Sequence, residues 1–266
     1  MTGIETLLRQ LVDELIDGNT IALALTGAHI PGQPTTSYSD VDVLRYVRIL
    51  PPEEQRQHLR YVGETLVTIT TGSIMAERKK LARPEMAVWS VLPLKQSLPL
   101  YDPDGVFAAL QSEAHHFRWN PEMQQQANIF ASEHLMRLAR VAHKVMNTLV
   151  RRDDASLVGA ADVLTAGLMQ VMAVQRGILM ATNDAYARTL MRQVGLGSAW
   201  TYYLMQSVGL VENSPRMRGI AALGLYIKTV DLLRPILQES HAQVVDQTWA
   251  IIAASGYTQN NQDNEG

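Results

Sequence analysis

The pattern of apolar residues changes near Pro121, and this change most constrains the fold. Before it, short apolar or β-branched runs such as residues 20–26 and 66–71 alternate with amphipathic segments, a mixture typical of strands and helices. After it, strand-like runs disappear and long segments with helical periodicity follow one another. The sequence therefore predicts an α+β fold, an N-terminal mixed β-sheet domain followed by a C-terminal helical bundle.

The predicted boundaries divide the 266 residues into a sheet domain over 1–120, a helical domain over 121–256 and a polar, flexible tail over 257–266. In the sheet domain the pattern predicts strands over the following segments: 20–26, 41–49, 66–71 and, at an edge, 97–101. Helices are predicted for an N-terminal segment ending before Gly18, after Pro51-Pro52-Glu53-Glu54, over 75–92 with a break at Pro84, and over about 106–117. Further helices are predicted over 121–150, 155–182, 184–208, 215–239 and 241–254.

Composition excludes several classes of protein. The chain has no cysteine, which excludes disulfides, Cys-ligated zinc, Fe–S clusters and thiol nucleophiles. Its formal charge of −3 disfavours a protein that coats nucleic acid. No apolar run approaches the roughly 20 residues of a membrane span, and the acidic, amphipathic N-terminus is unlike a signal peptide. We therefore expect a soluble, cytoplasmic protein without a membrane partner.

The segment from Gly27 to Asp42 carries the clearest chemical signal. A buried strand precedes Gly27, which is followed by a Pro- and Ser-rich loop and then by Asp40 and Asp42 at the start of the next strand. Strand alternation places both carboxylates on one face, about 6–7 Å apart, where they repel unless a cation such as Mg²⁺ lies between them. Gly27 lets the backbone approach a phosphate closely. The alternative is that Asp40 caps a turn and Asp42 is simply exposed.

At these residues the sequence resembles the nucleotidyltransferase superfamily. Gly27, Gly32 and Ser39-Asp40-Val41-Asp42 match its signature. The layout is most similar to the kanamycin-type aminoglycoside nucleotidyltransferases, through residues 67–73 and 97–107 and into the helical half.

The resemblance implies a reaction and a set of site residues. Asp40 and Asp42 would hold Mg²⁺ as catalytic and metal-binding residues, and a nucleoside triphosphate would be the substrate. A hydroxyl of a small acceptor would attack the α-phosphorus, and pyrophosphate would leave. The nucleotide-binding positions are Gly27, Ala28, Ser39 and Thr68. Lys144 matches a catalytic lysine of the helical domain, and the family implies a homodimer that shares its active site.

Three positions depart from the family pattern. Ala28 replaces a serine, so a hydroxyl that would contact phosphate is lost while the backbone N–H groups remain. Thr68 occupies the position of a third carboxylate, and Glu64 and Glu77 lie at the two ends of that segment. Arg140 replaces the glutamate that would act as base, and arginine cannot accept the proton. Either Glu133 or His143 is the candidate replacement.

These departures keep other functions open. A nucleotidyltransferase-like protein that binds nucleotide or a partner without turnover is the main alternative. An Arg137 to His143 spacing resembles a ribonuclease motif, which leaves a fused toxin–antitoxin chain as a third possibility. A basic cluster, Arg78, Lys79, Lys80 and Arg83, is either a solvated face or a contact for triphosphate or acceptor.

Overall fold

The computed structural model describes residues 3–32, 35–182, 185–211 and 214–257. These residues form two compact units, of which the first contains the chain up to Trp119 and a short segment beginning at Leu179. The second begins at Asn120 and is helical. The α+β prediction is confirmed, since a five-stranded mixed sheet precedes a run of helices. Apart from Tyr257, the predicted tail lies outside the described residues.

The first unit is built around the sheet, in the strand order β3-β4-β2-β1-β5. Its strands are β1 Thr20–Thr26, β2 Val41–Val47, β3 Gln57–Val62, β4 Thr65–Gly72 and β5 Leu98–Tyr101. Its helices are α1 Gly3–Leu15, α2 Ile74–Leu81, α3 Pro84–Gln96 and α4 Val106–His116. Strands β2 and β4 are parallel and the other neighbours are antiparallel, which makes the sheet mixed.

The two faces of the sheet are buried by different helices. Alternation in β2 directs Val41 and Val43 into a core shared with α1, and Leu44 and Tyr46 into a core shared with α2, α3 and α4. Strand residues two apart share a face. Asp40 and Asp42 therefore project from the face opposite α1.

The helix predicted after Pro51-Pro52 is wrong. A short 3₁₀ turn, Glu53–Gln55, is followed by β3, which the sequence did not predict. A two-residue turn at Gly63, with φ +61°, joins β3 to β4 as an antiparallel hairpin. The local sequence favours a helix start, but β3 forms backbone hydrogen bonds with its neighbour β4, and these bonds stabilise the strand.

The second unit contains six described helices. They are α5 Pro121–Arg151, α6 Asp154–Gln175, α7 Tyr186–Val194, α8 Ala199–Ser207, α9 Pro215–Leu233 and α10 Glu239–Ala254. Helix α6 ends at Gln175 rather than 182, because Gly177 has φ +59° and ends the helix. The predicted helix over 184–208 is instead two helices, since Gly195 has φ +115° and Ser198 caps α8.

Helix α6 also corrects the expectation that no apolar run is long enough to span a membrane. Asp154–Gln175 is long and apolar enough by length and composition. However, 61% of its apolar window is buried inside the protein, and buried residues on α6 include Leu164 and Leu168. This burial is expected for the core helix of a soluble protein.

Candidate functional site

The aspartate pair lies at the start of β2, which is the strand between β1 and β4. Asp42 is in register with Thr26 of β1 and with Thr68 of the parallel strand β4. Both aspartates are half-buried. The Thr68 hydroxyl donates a hydrogen bond to Asp40 Oδ2 at 3.5 Å. The structure therefore brings two carboxylates and one hydroxyl together on one face of the sheet.

Gly27 packs directly against this pair. Its φ is +78°, and a Cβ added there would lie 2.4 Å from Asp42 Oδ2. Both the backbone conformation and the close contact therefore require glycine. Ala28 follows in a short 3₁₀ turn, Gly27–His29, so the backbone leaving β1 turns beside the carboxylates.

The surroundings of Asp42 disfavour its charge. Burial, and then the nearby charge of Asp40, raise the pKa of Asp42 to about 6, and His29 partly opposes this rise. At neutral pH two mutually repelling carboxylates therefore share a partly desolvated position. A cation bound between them would relieve both costs.

The donor set fits a hard cation that also binds a substrate. Mg²⁺ is commonly held by one or two carboxylates, with water and substrate phosphates as its other ligands, and Asp40 and Asp42 supply such a pair. Among the described residues, no group of three or more His, Cys, Asp or Glu side chains is placed to hold a metal ion. The described residues therefore suit an ion that also binds the substrate better than an ion bound by protein side chains alone.

Ser39 and His29 form hydrogen bonds within the loop beside the aspartate pair. The Ser39 hydroxyl accepts a hydrogen bond from the Thr36 N–H at 2.9 Å, and His29 Nε2 lies 3.2 Å from the Ser39 carbonyl oxygen. Both residues line a cavity of about 530 Å³ bounded by α1 residues, among them Ile4 and Leu7. The sequence analysis did not single out His29, and only its position two residues after Gly27 could have indicated it.

The two glutamates considered as a third carboxylate do not join the pair. Glu77 is held by Lys80 at 2.6 Å, and its carboxylate lies near Gly72. Gly72 is four residues beyond Thr68 on β4, about 13 Å along the strand. Glu64 is exposed in the β3–β4 turn. Thr68 alone occupies the neighbouring position on β4.

The candidate residues of the helical half belong to the second unit. Lys144 is exposed on α5. Glu133, considered as the base, pairs with Arg137 at 2.5 Å. Arg137 is the arginine of the ribonuclease-like spacing, so one ion pair engages both candidates. His143 and Arg140 line a cavity together with α10 residues.

The basic cluster is largely paired with acids. Arg78 binds Glu113, Lys80 binds Glu77 and Arg83 binds Glu85. These three ion pairs favour a solvated surface for the cluster over a free phosphate-binding patch.

Comparison with known proteins supports the assignment of the fold. No protein-family model and no curated protein matches this sequence. Among solved structures, the chain is similar to the crystal structure, at 1.90 Å resolution, of a nucleotidyltransferase-like protein from Exiguobacterium sibiricum 255-15. The two share 14% identity with a TM-score of 0.50, over 95% of this chain and 80% of the other. The chain therefore has the fold of a nucleotidyltransferase-like protein.

Proposed function

We propose that this protein is a Mg²⁺-dependent nucleotidyltransferase that moves a nucleoside monophosphate from a nucleoside triphosphate to a hydroxyl of a small acceptor. One observation carries the proposal: Asp40 and Asp42 project from one sheet face beside the turn at Gly27. The nucleotidyltransferase-like fold and the sequence resemblance to the kanamycin-type enzymes support it. That resemblance favours an aminoglycoside-like acceptor.

Each residue of the cluster has a role in this reaction. Asp40 and Asp42 hold the ion, which neutralises charge on the attacking and leaving oxygens when it is bound. The Thr68 hydroxyl orients the Asp40 carboxylate through its hydrogen bond. The backbone N–H groups of the turn at Gly27 and Ala28 are the proposed contacts for the triphosphate. Most of the rate enhancement then comes from positioning and electrostatics.

The test is nucleotide transfer from labelled ATP, GTP, CTP and UTP with Mg²⁺ and a panel of aminoglycosides and other polyols. We expect Asp40→Asn and Asp42→Asn each to lower transfer by about 100-fold or more, the usual cost of losing a transition-state electrostatic partner. Glu53→Gln is the matched control, because Glu53 is an exposed carboxylate of the same unit. Full transfer by the double Asp40→Asn, Asp42→Asn variant would show that the metal assignment is wrong.

Lys144 is the proposed catalytic residue of the helical unit. We expect Lys144→Met to lower transfer while leaving the affinity for nucleotide unchanged. Lys228→Met, in α9 of the same unit, is the control. Equal losses of transfer in the two variants would show that Lys144 has no specific catalytic role. Sedimentation of the full chain tests the homodimer that the family resemblance implies.

A second candidate function is nucleotide binding without turnover, and Thr68 favours it. A threonine hydroxyl at the β4 position is a weaker cation ligand than a carboxylate. Tight binding of nucleotide by calorimetry, without pyrophosphate release for any acceptor, would support this candidate. Thr68→Asp is the informative variant, because turnover that appears only in Thr68→Asp would identify the missing carboxylate as the cause.

A further inference from the structure

The sheet face that carries the aspartates continues across β4 to the edge strand β3. Asp42 is in register with Thr68, and Thr68 is in register with Leu59 of β3. Tyr61 pairs with Leu66, one row further toward Asp40. Because residues paired across strands project from the same face, Leu59 and Tyr61 lie in the rows of the two carboxylates.

Side-chain contacts of the intervening residues fix this orientation independently. Arg60 forms an ion pair with Glu14 of α1, and Val62 packs into the core shared with α1. These even-numbered side chains of β3 therefore project toward α1. Leu59 and Tyr61 project from the opposite face, which is the face of Asp40 and Asp42.

This part of the face is open. Leu59 is 55% exposed and Tyr61 is 71% exposed. Further along the same face, Leu44 and Tyr46 belong to the core covered by α2, α3 and α4. An aliphatic and an aromatic side chain are thus left accessible beside the carboxylate pair, at the end of the sheet where the proposed chemistry takes place.

We propose that Leu59 and Tyr61, here called the β3 platform, bind the flat base of the nucleoside triphosphate. The proposal rests on the proposed function, which places the phosphates at Asp40 and Asp42. Two strand spacings separate β3 from β2, about 10 Å, a distance comparable to the length of a nucleoside. Every base has a π face, so stacking on Tyr61 contributes affinity with little discrimination among bases.

The test measures two dissociation constants with Mg²⁺ by calorimetry: one for ATP, and one for inorganic tripolyphosphate, which lacks the base. We expect Tyr61→Ala to weaken ATP binding about tenfold, within the usual range for loss of one stacking contact, and Leu59→Ala to weaken it less. Tyr61→Phe keeps the ring and should retain the affinity. Ile49→Ala, which truncates another exposed apolar side chain of the first unit, is the control. Tripolyphosphate binding should be the same in all variants.

The outcomes separate this inference from the proposed function. If wild type binds both ligands and Tyr61→Ala leaves ATP affinity unchanged, the β3 platform is overturned while the metal site stands. If wild type binds neither ligand, both proposals fail. If Tyr61→Ala dissociates a wild-type dimer in sedimentation without changing ATP affinity, the face joins two copies of the chain and the inference is overturned.

Discussion

At the scale of single residues, both the backbone conformation and the surroundings of Gly27 oppose a side chain. Gly27→Ala would place a methyl group 2.4 Å from Asp42 Oδ2, in a backbone conformation with φ +78°. We expect it to lower the free energy of unfolding by about 1–3 kcal/mol and to weaken Mn²⁺ binding by displacing the carboxylate. Gly63→Ala is the matched control, because Gly63 has φ +61° and no atom within 4 Å of an added Cβ. Equal effects of the two variants on Mn²⁺ binding would contradict the contact.

The raised pKa of Asp42 predicts how stability varies with pH without metal. The unfolded state binds the proton with a pKa of about 3.9, whereas the folded state has a pKa of about 6. Between these values the folded state binds more protons, so stability falls as pH rises. We expect Asp42→Asn to raise the free energy of unfolding at pH 7 by about 1 kcal/mol, after allowance for solvent screening. Urea denaturation should show this gain disappearing near pH 4, and a gain that does not vary with pH would be contrary to the prediction.

The pKa of Asp17 is shifted in the opposite direction from that of Asp42. Hydrogen bonds from Thr20 and then from Arg45 lower the pKa of Asp17 to about 2. The folded pKa is below the unfolded value, so this carboxylate adds stability above about pH 4 and loses it as pH falls toward 2. Asp17→Asn should therefore be destabilised at pH 7 and approach the wild type in acid. The same denaturation series measures both variants, and parallel pH profiles for Asp17→Asn and Asp42→Asn would refute the assignment.

At the scale of elements, close helix packing decides which glycines can be replaced. A Cβ at Gly224 of α9 would lie 2.4–2.8 Å from three ring atoms of Tyr203 on α8. Because a helix and an aromatic ring must separate to admit it, we expect Gly224→Ala to cost about 1–3 kcal/mol in thermal unfolding. Gly159→Ala in α6, with nothing within 4 Å, should gain about 0.5–1 kcal/mol from helix propensity. A stabilised Gly224→Ala would contradict the packing.

Elements with strong local patterns were predictable, and elements that depend on a partner were not. Strand β1 was predicted with its observed bounds, Thr20–Thr26, because a buried run with a glycine after it is a local signal. Strand β3 was missed because its sequence is half polar and its backbone bonds come from β4. No residue of β3 is fully buried, so its apolar pattern is a weak signal.

At the scale of the whole molecule, the chain returns to the first unit after α6. The segment from Leu179 belongs to that unit, and the Met180 N–H donates to the Val88 carbonyl oxygen of α3 at 2.7 Å. Met180 is fully buried, so Met180→Ala should lower the free energy of unfolding by about 2–5 kcal/mol and speed hydrogen exchange in α3. Met75→Ala, at an exposed position on α2, should have little effect. Unchanged exchange in α3 would show that the returning segment does not stabilise the unit.

The sequence by itself determined the α+β class and the placement of Gly27, Asp40 and Asp42, because apolar periodicity and strand alternation are local properties of the chain. The tertiary structure alone decided the raised pKa of Asp42, the strand partner of β3 and the return of the chain to the first unit. Each of these depends on groups distant in sequence: desolvation and repulsion around a carboxylate, hydrogen bonds from a neighbouring strand, and burial of Met180. The periodicity of a segment indicates its apolar face but does not specify what, if anything, covers that face, as the exposed Leu59 and Tyr61 show.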